Sequence, residues 1–386
     1  MQPETYYIKA DRFLLEEEEK ENSYLQVENG LFGGFVAEVP VDAVVVDWSG
    51  HTIAPGLFDT HIHGVNGHDI MDGTAEAVEE ISKAILPLGV TRFLPTTLTA
   101  SNEDLDKAIV AITDAVDTGL SGAKSEGIFL EGPYFTEKYQ GAQNPIYFKN
   151  PNVDEFNAWQ ALAKGGIVKI AIAPERENAM AFIREIGKEV FVSIAHTDAS
   201  FDCCKEAVDA GARKFIHLFN GMSGLHHREP GVVGAALSDS RAYAELICDG
   251  FHVHPDVASM ALDIKGDKLV LITDCMRAGL MPDGDYMLGE YPVVMKDGVA
   301  RTESGSLAGS TLKLIDGVFN LQDWSQEPLH KVWHRGSLSP AASVGKADKL
   351  GSLENGKVAD YVVLDDKLSV KAVAVDGIVK YERDQA

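Results

Sequence analysis

The sequence predicts a (β/α)8 TIM-like barrel that carries a small β-sandwich domain built from both chain termini. Strand-like and helix-like segments alternate through the middle of the chain, which is typical of repeated βα units. Eight strand candidates occur there, the number that closes a barrel, whereas a doubly wound open sheet usually has about six. Both ends of the chain are rich in strands instead. We therefore expect residues 1–54 and 345–386 to form the β-domain and residues 55–344 to form the barrel.

The barrel strands are predicted as short runs of apolar and β-branched residues. In chain order they are Leu57–His61, Arg92–Thr97, Gly127–Glu131, Val168–Ala173, Val190–His196, Lys214–His217, Tyr243–Asp249 and Leu269–Asp274. The helices between them are predicted at Ala75–Leu88, Glu103–Asp117, Asp154–Lys164, Ala179–Lys188, Asp202–Ala210 and Pro255–Ile264. The interval after the sixth strand has the weakest helical pattern. After the eighth strand we expect an inserted hairpin within Met276–Gly309 and a closing helix at Thr311–Asn320.

Composition and charge exclude several classes of protein. The chain has 386 residues, and its 34 Lys and Arg against 59 Asp and Glu give a net charge of −25. Nucleic acids and anionic membranes are bound by clustered Lys and Arg, so we expect neither as a partner. No apolar run approaches the roughly 18 residues of a membrane span. The first residues lack the basic and apolar regions of a signal peptide, so the cytoplasm is the expected compartment.

Five polar side chains stand at the carboxyl ends of predicted barrel strands. His61, Glu131, His196, His217 and Asp274 belong to the first, third, fifth, sixth and eighth strands. In a parallel barrel these ends open on one face, where active sites are built. Buried His and carboxylate groups at this density need a compensating charge, which a divalent cation supplies. The alternative, five separately satisfied core residues, leaves their shared position unexplained. The pattern therefore predicts a metal centre.

The segment His61-Ile62-His63 strengthens this prediction. Residues i and i+2 of a strand point to the same side, so the two imidazoles can converge on one ion. Imidazole and carboxylate ligands suit Zn²⁺ best, with Fe²⁺, Mn²⁺ and Co²⁺ as alternatives. We expect one or two ions per chain.

The same residues resemble the motifs of a known family. Ala54-Pro-Gly-Leu-Phe-Asp-Thr-His61-Ile-His63 resembles the first-strand metal motif of the amidohydrolase superfamily, and Thr273-Asp274 resembles its eighth-strand aspartate. The third strand does not match members that carry a carboxylated lysine. Its segment Leu130-Glu131-Gly132-Pro133 instead resembles the family of N-acetylglucosamine-6-phosphate deacetylases. Further segments that agree with this family are Ala195-His196-Thr197, His217-Leu-Phe-Asn220-Gly-Met, Asp249-Gly-Phe-His252 and Gly356-Lys-Val-Ala-Asp360.

The resemblance implies a role for each matching residue. Glu131, His196 and His217 would hold the main ion, and His61 and His63 a second one. Asp274 would be the catalytic residue that moves protons. The substrate contacts would come from Ala142, Gln143, Asn220, Gly221, Arg228, His252, Leu307, Ala308 and Gly309. Many relatives have His in place of Gln143, although an amide can also hydrogen-bond a hydroxyl or a phosphate. Arg228 would reach a neighbouring subunit's site, which implies a homodimer or a larger homo-oligomer.

The implied activity is metal-dependent hydrolysis of the acetamide of N-acetylglucosamine 6-phosphate, in amino-sugar catabolism. The expected partner is therefore a small amino-sugar phosphate, and the products are glucosamine 6-phosphate and acetate. Two alternatives are retained. Another amidohydrolase, acting on a cyclic amide or a nucleobase, would not need an Arg-lined phosphate pocket. A non-enzymatic sugar-phosphate sensor on the same scaffold would tolerate loss of Asp274.

Overall fold

The computed structural model describes residues 4–383 and contains the predicted barrel. The eight parallel strands lie at Leu57–Ile62, Val90–Thr97, Ile128–Tyr134, Ile167–Ile172, Phe191–Ile194, Lys214–Phe215, Tyr243–Ile247 and Leu269–Ile272. Strands adjacent in this order pair with each other. A parallel bridge between Ile62 and Cys275 joins the first strand to the chain beyond the eighth. The predicted barrel is therefore confirmed. The outermost residues of the predicted β-domain, 1–3 and 384–386, lie outside the described residues.

Helices follow the barrel strands and pack around them. The α-helices lie at Ala75–Ile85, Asn102–Thr118, Val153–Leu162, Ala179–Ile186, Phe201–Ala210, Gly231–Ser238, Pro255–Lys265, Leu314–Ser325, Leu329–Trp333 and Leu338–Ser343. The side chains of Thr74, Ser101 and Ser200 cap three of them by accepting backbone amides of the first turn, each worth about 1 kcal/mol. The helix after the sixth strand was hard to predict because five of its eight residues are buried, so it lacks a polar face.

Short elements complete the connections. The 3-10 turns lie at Ile70–Asp72, Leu86–Leu88, Glu137–Tyr139, Pro145–Tyr147, Gly266–Lys268 and His334–Gly336. The two-residue strands are Gly64–Val65, His68–Asp69 and Lys124–Ser125. No helix within residues 4–383 is both long enough and apolar enough to cross a membrane.

The insertion after the eighth strand is a three-stranded antiparallel sheet, not the hairpin we predicted. Its strands are Gly284–Leu288, Tyr291–Lys296 and Val299–Thr302. The additional turn is Asp297-Gly298, where both residues have positive φ, 53° and 74°. Asp-Gly is a favoured sequence for such a two-residue turn. Leu288 and Met295 of this sheet pack against Leu98 near the carboxyl ends of the barrel strands. The insertion therefore covers one side of the barrel mouth.

Both termini contribute to one seven-stranded sheet. Its strands, in spatial order, are Ile378–Glu382, Val370–Val375, Tyr361–Leu364, Val45–Pro55, Thr5–Leu14, Glu19–Glu28 and Leu31–Val36. The sheet folds over itself, because the amides of Phe32 and Ala359 donate to the carbonyls of Lys357 and Gly30. Its two halves enclose one apolar core. The predicted sandwich from both termini is confirmed as a continuous folded sheet, while the domain boundaries at 54/55 and 344/345 stay a prediction.

An ion-pair network joins the folded sheet to the barrel. Arg92, in the second barrel strand, donates to both carboxylate oxygens of Asp360, from Nε at 2.6 Å and from Nη2 at 3.0 Å. It also donates to Glu126 at 2.9 Å and to Asp376 at 2.5 Å. Arg92 and Asp360 are both buried. Charge-assisted, bidentate contacts of this kind fix the relative position of the groups they join.

Candidate metal centre and active site

The five predicted strand-end residues meet at the mouth of the barrel. His61 and Glu131 lie within the first and third strands, and His196, His217 and Asp274 each lie two residues beyond a strand. The last three have positive φ, 43°, 31° and 51°. Residues other than glycine rarely adopt this conformation, and where they do they cluster at functional sites. The backbone therefore turns sharply at the points where these side chains enter the mouth.

The ligand atoms form two groups, each with its atoms within 4.8 Å of one another. The groups are His61, His63, Asp274 and Glu131, His196, His217. Glu131 lies between them. Its Oε1 is 3.3 Å from His217 Nε2 and 3.4 Å from His61 Nε2, and its Oε2 is 3.1 Å from His63 Nε2. One carboxylate is therefore close to both groups.

The four imidazole rings are each held in one tautomer. The Nδ1 atoms of three rings bond to backbone carbonyls, in the pairs His63–Thr96 at 3.2 Å, His196–Tyr139 at 2.8 Å and His217–Asn220 at 2.9 Å. Nδ1 of His61 lies 3.3 Å from a carboxylate oxygen of Glu245. Carbonyls and carboxylates only accept hydrogen bonds, so Nδ1 carries a proton, and each ring presents Nε2 as the atom that can bind a metal ion.

These Nε2 atoms face one another. Nε2 of His61 is 3.3 Å from Nε2 of His63, and Nε2 of His196 is 3.2 Å from Nε2 of His217. Two ring nitrogens at this distance repel unless positive charge, a proton or a metal ion, lies near both. Imidazole nitrogen with carboxylate oxygen is also the donor set that Zn²⁺ and similar ions prefer. The residues present therefore fit a divalent metal.

The pKa shifts of the residues in the centre also favour a cation there. Burial disfavours the charged form of His61, but the charges of Asp274 and Glu131 outweigh burial and raise its pKa to about 9. Burial likewise opposes protonation of His63, yet hydrogen bonds to Asp274 and Glu131 raise its pKa well above the usual range. Burial raises the pKa of Glu131 and of Asp274, while the neighbouring His61 lowers both, and the net shift is downward. The cluster therefore favours positive charge at its centre.

A cavity of about 370 Å³ opens directly above the metal centre. Its lining includes Glu131, His196 and His217 of one group and His63 and Asp274 of the other. Seven of the nine predicted substrate residues also line it, namely Ala142, Gln143, Asn220, Gly221, His252, Leu307 and Gly309. A cavity of this volume can hold a small ligand such as a monosaccharide.

Ala308 and Arg228 do not line the cavity. The Ala308 side chain is buried in the apolar cluster of the inserted sheet, and its neighbour Leu307 lines the cavity. Successive side chains of an extended segment point to opposite faces, which explains the difference. Arg228 lies exposed on a loop, where its Nη1 is 2.6 Å from Nε2 of His227.

Gln143 contacts the metal centre itself. Its Nε2 donates to Oε2 of Glu131 at 2.7 Å, and its Oε1 accepts the backbone amide of Thr99 at 2.9 Å. The Thr99 contact fixes which end of the amide faces Glu131. The side chain is buried. Gln143 therefore orients a carboxylate of the candidate metal centre and also lines the cavity.

Asp59 couples the two strands that carry the first ligand group. Its Oδ1 accepts the backbone amides of His61 at 3.2 Å and Thr273 at 3.3 Å, and its Oδ2 accepts the Thr273 hydroxyl at 2.6 Å. Burial raises the pKa of Asp59 to about 6, although these hydrogen bonds lower it in part. The clamp holds the His61–His63 segment against Asp274.

Sequence reasoning missed several residues that line the cavity: Leu98, Lys138, Tyr139, Gly141, Leu288 and Ser306. Lys138 is the one Lys or Arg in that lining among residues 4–383, and it pairs with Asp198 at 2.8 Å. Lys138 lies only seven positions after Glu131 in the sequence, and this closeness is the feature that could have identified it as a residue of the cavity. Leu288 belongs to the inserted sheet, whose position could not be read from the sequence.

An eight-stranded barrel with a His–carboxylate centre at its mouth is an architecture that metal-dependent hydrolases use. The sequence matches the amidohydrolase family over residues 52–380. The chain belongs to this metal-dependent family, so the resemblance inferred from its motifs is confirmed.

Individual relatives match over most of their lengths. The chain is 42% identical to the N-acetylglucosamine-6-phosphate deacetylase of Vibrio furnissii over 331 residues. The alignment covers 86% of this chain and 83% of that one. It is 38% identical to the N-acetylgalactosamine-6-phosphate deacetylase of Escherichia coli, over 97% of this chain and 98% of that one. A solved structure of the Mycobacterium smegmatis N-acetyl-D-glucosamine-6-phosphate deacetylase, in complex with N-acetyl-D-glucosamine-6-phosphate, has a TM-score of 0.92. It is 30% identical and covers 98% of this chain and all of that one.

Proposed function

We propose that this chain hydrolyses the acetamide of N-acetyl-D-glucosamine 6-phosphate to D-glucosamine 6-phosphate and acetate, as a step of amino-sugar catabolism. One observation carries the proposal: two groups of potential metal ligands, with Glu131 close to both, lie at the floor of a cavity large enough for a monosaccharide. The activities named for the relatives support it. We propose the cytoplasm as its compartment.

Glu131, His196 and His217 would hold the main ion, and His61, His63 and Asp274 surround the position of a second. We propose Zn²⁺, because imidazole nitrogens with a few carboxylate oxygens are the donors it prefers, and backbone carbonyls hold three of the four imidazoles with Nε2 toward the centre. A bound divalent ion supplies a nucleophilic water at neutral pH and polarises the acetamide carbonyl.

Asp274 is the group we assign to proton transfer. Its Oδ1 lies 3.4 Å from His61 Nε2 and 3.2 Å from His63 Nε2, and its side chain lines the cavity. Its ionised carboxylate takes a proton from the attacking water. It then returns that proton to the amine nitrogen as the C–N bond breaks, so that glucosamine 6-phosphate leaves as the free amine.

His252 is the group we assign to the acetamide oxygen. Its Nδ1 is 2.6 Å from Oδ2 of Asp249, and its amide donates to Oδ1 of the same residue at 2.8 Å. Burial raises the pKa of Asp249 and the His252 contact lowers it, with a net downward shift. An ionised Asp249 holds the ring in place beside the cavity. From that position His252 can stabilise negative charge as it develops on the carbonyl oxygen.

The phosphate end of the substrate is assigned to Asn220, Gly221 and Lys138, with Arg228 supplied by a neighbouring subunit of a homodimer or larger homo-oligomer. Gly221 has φ of 62°, and a Cβ at this position would lie 3.0 Å from Nδ1 of His196. Only glycine fits there without a shift. The chain can therefore pass close to the metal centre and leave its backbone open to a ligand.

A substrate comparison tests the proposal. Acetate release is measured with N-acetylglucosamine 6-phosphate and with unphosphorylated N-acetylglucosamine. We expect kcat/KM to fall at least about a hundredfold without the phosphate, roughly 2.7 kcal/mol in transition-state binding. Equal rates on both sugars would exclude a phosphate pocket. No acetate from either sugar would exclude the deacetylase.

The second candidate substrate is N-acetylgalactosamine 6-phosphate, which differs only at carbon 4. The 38% identity to a deacetylase named for that sugar favours it. The same assay with this epimer decides between them, since the higher kcat/KM identifies the substrate. The proposal for the glucosamine form fails if the galactosamine form is faster by about tenfold or more, about 1.4 kcal/mol.

Metal dependence is tested separately. Chelation should abolish acetate release, and Zn²⁺ should restore it better than Fe²⁺, Mn²⁺ or Co²⁺ added under the same conditions. His196→Ala should lose both metal and activity, because it removes a ligand of the main ion. Full activity in protein shown by elemental analysis to contain no transition metal would overturn the assignment.

A further inference from the structure

The barrel core beneath the metal centre contains three ionisable side chains that the proposed reaction does not use. Lys169, Lys214 and Glu245 lie on the fourth, sixth and seventh strands, and each is 0% exposed. Barrel interiors are normally filled with branched apolar residues. Taking charges out of water is costly even when they pair. The presence of Lys169, Lys214 and Glu245 in the barrel core therefore requires an explanation.

Glu245 uses its two carboxylate oxygens differently. Oε1 accepts from Lys169 Nζ at 2.5 Å and lies 3.3 Å from Lys214 Nζ. It also accepts the hydroxyl of Thr60 at 3.4 Å. Oε2 accepts from Nδ1 of His61 at 3.3 Å. Both lysines therefore contact Oε1, and Oε2 bonds to His61 of the metal centre.

His61 differs in this respect from the other three histidines of the centre. Their Nδ1 atoms donate to backbone carbonyls, in the pairs His63–Thr96, His196–Tyr139 and His217–Asn220. Only His61, among the four, donates to a carboxylate. A carboxylate partner fixes the ring orientation and makes the imidazole a stronger metal ligand.

The two lysines are themselves held in place. Nζ of Lys169 donates to the Thr60 carbonyl at 3.2 Å and lies 3.7 Å from the centre of the Phe129 ring. Nζ of Lys214 donates to the Ser343 hydroxyl at 2.8 Å. Fully satisfied buried networks of this kind are rigid. The lysines therefore keep Glu245 charged and stationary behind His61.

We infer that Glu245 is a positioning residue for the ion-binding group of His61, His63 and Asp274. The inference rests on the metal roles proposed above. Glu245 holds the His61 ring so that Nε2 faces the centre, and Lys169 and Lys214 hold Glu245. None of Glu131, His196 and His217 bonds to Glu245, so this network should affect the ion held by these three residues less than the ion beside His61.

Release of Zn²⁺ from the loaded full-length protein to a chromophoric chelator tests the inference. The wild type should release two ions per chain. Glu245→Gln preserves the shape of the side chain and removes its charge. It should release one ion at a chelator concentration about 10- to 100-fold lower, with the other ion little changed. Lys214→Met is the graded variant, because it removes one of the two lysines that hold Glu245 and leaves Lys169 and the contact between Oε2 and His61 in place. It should shift the release of the same ion less than Glu245→Gln does.

A second variant keeps the test decisive if Glu245→Gln does not fold. Glu245→Asp retains the charge that the lysines require but is one methylene shorter, which withdraws the carboxylate from His61. It should weaken the same single ion. Unchanged release from the folded Glu245 variant would overturn the inference. So would equal weakening of both ions, or a wild type that binds one ion only.

The acetate assay separates this inference from the proposed function. A wild type that deacetylates the sugar phosphate but holds one ion refutes the role of Glu245 and leaves the function standing. A wild type that holds two ions, with selective loss in Glu245→Gln, but releases no acetate supports the role and refutes the function.

Discussion

Two clusters of buried charge, one at each end of the second barrel strand, are organised in opposite ways. Toward the terminal sheet, Arg92 is surrounded by carboxylates that bond it directly. At the mouth, Nδ1 of His63 is fixed by the carbonyl of Thr96, while its Nε2 faces Nε2 of His61 and two carboxylates. The first cluster is complete as it stands, whereas the second has the donor set for a cation from outside. Satisfied networks stabilise a fold, and incomplete ones mark a site.

Asp274→Asn should have the largest effect, and chiefly on catalysis. Asn keeps the size and much of the hydrogen bonding of Asp274, but it cannot accept the water's proton. We expect kcat to fall by about 10² to 10⁴ while the main ion and the substrate still bind. Steady-state kinetics with metal analysis and substrate-binding measurements check this.

The pH profile sharpens the test. Asp274 acts as a base only when ionised, so kcat should decline as the pH falls through its pKa, and that acidic limb should be absent in Asp274→Asn. If Asp274 served only as a ligand, excess metal would restore the rate of the variant. A near-normal kcat in metal-replete Asp274→Asn would remove this residue from the mechanism.

Arg92→Met should have the opposite effect. It should lower the free energy of unfolding and leave kcat unchanged. It leaves Asp360 buried without its partner, and breaking a buried ion pair in this way costs about 3–5 kcal/mol. Denaturant unfolding measures the loss, and kcat of the folded fraction should match that of the wild type. Arg92→Lys is the matched control, because it retains the charge without the bidentate geometry and should lose less. A large fall in kcat for Arg92→Met would show that the two clusters are coupled.

The sequence was most informative where a local pattern has one structural consequence. The apolar runs located all eight strands, and His61, Glu131, His196, His217 and Asp274 could be placed at one face because parallel strands share a direction. Those positions depend only on strand order.

Contacts between distant segments could not be predicted. The partner of His61 is Glu245, 184 positions away, and that of Arg92 is Asp360, 268 positions away. A buried charge in a strand gives no indication of its partner. The contact of Gln143 with Glu131 was not predicted for the same reason, because it depends on a loop conformation. Sequence spacing predicts which face a side chain occupies, and packing determines what it touches.

Gln143→Leu should have a smaller effect that involves both stability and chemistry. The change removes a donor to the charged Glu131 and leaves the buried amide of Thr99 without an acceptor, a loss of about 1–3 kcal/mol. A freed Glu131 should also bind the ion less well, so metal affinity and kcat/KM should both decline. Thermal unfolding of the loaded and chelated protein separates these effects. Unfolding that changes equally in both forms would limit Gln143 to a structural role.

Replacing Lys138 should have the smallest effect, but it gives the most specific test, because it shows whether this residue contacts the phosphate of the substrate. Lys138 lines the cavity, but it is exposed and pairs with Asp198 through both carboxylate oxygens, at 2.8 and 2.9 Å. A substrate phosphate must therefore compete with Asp198 for the same ammonium group. Because exposed charge pairs are weak, Lys138→Ala should raise KM for the phosphorylated sugar only about two- to fivefold. Asp198→Asn frees the lysine and should lower KM, so the two variants move it in opposite directions. Both effects should shrink in high salt, which screens exposed charges, and neither variant should alter turnover of the unphosphorylated sugar. If KM rises in both variants, the ion pair shapes the loop, and Lys138 does not contact the phosphate.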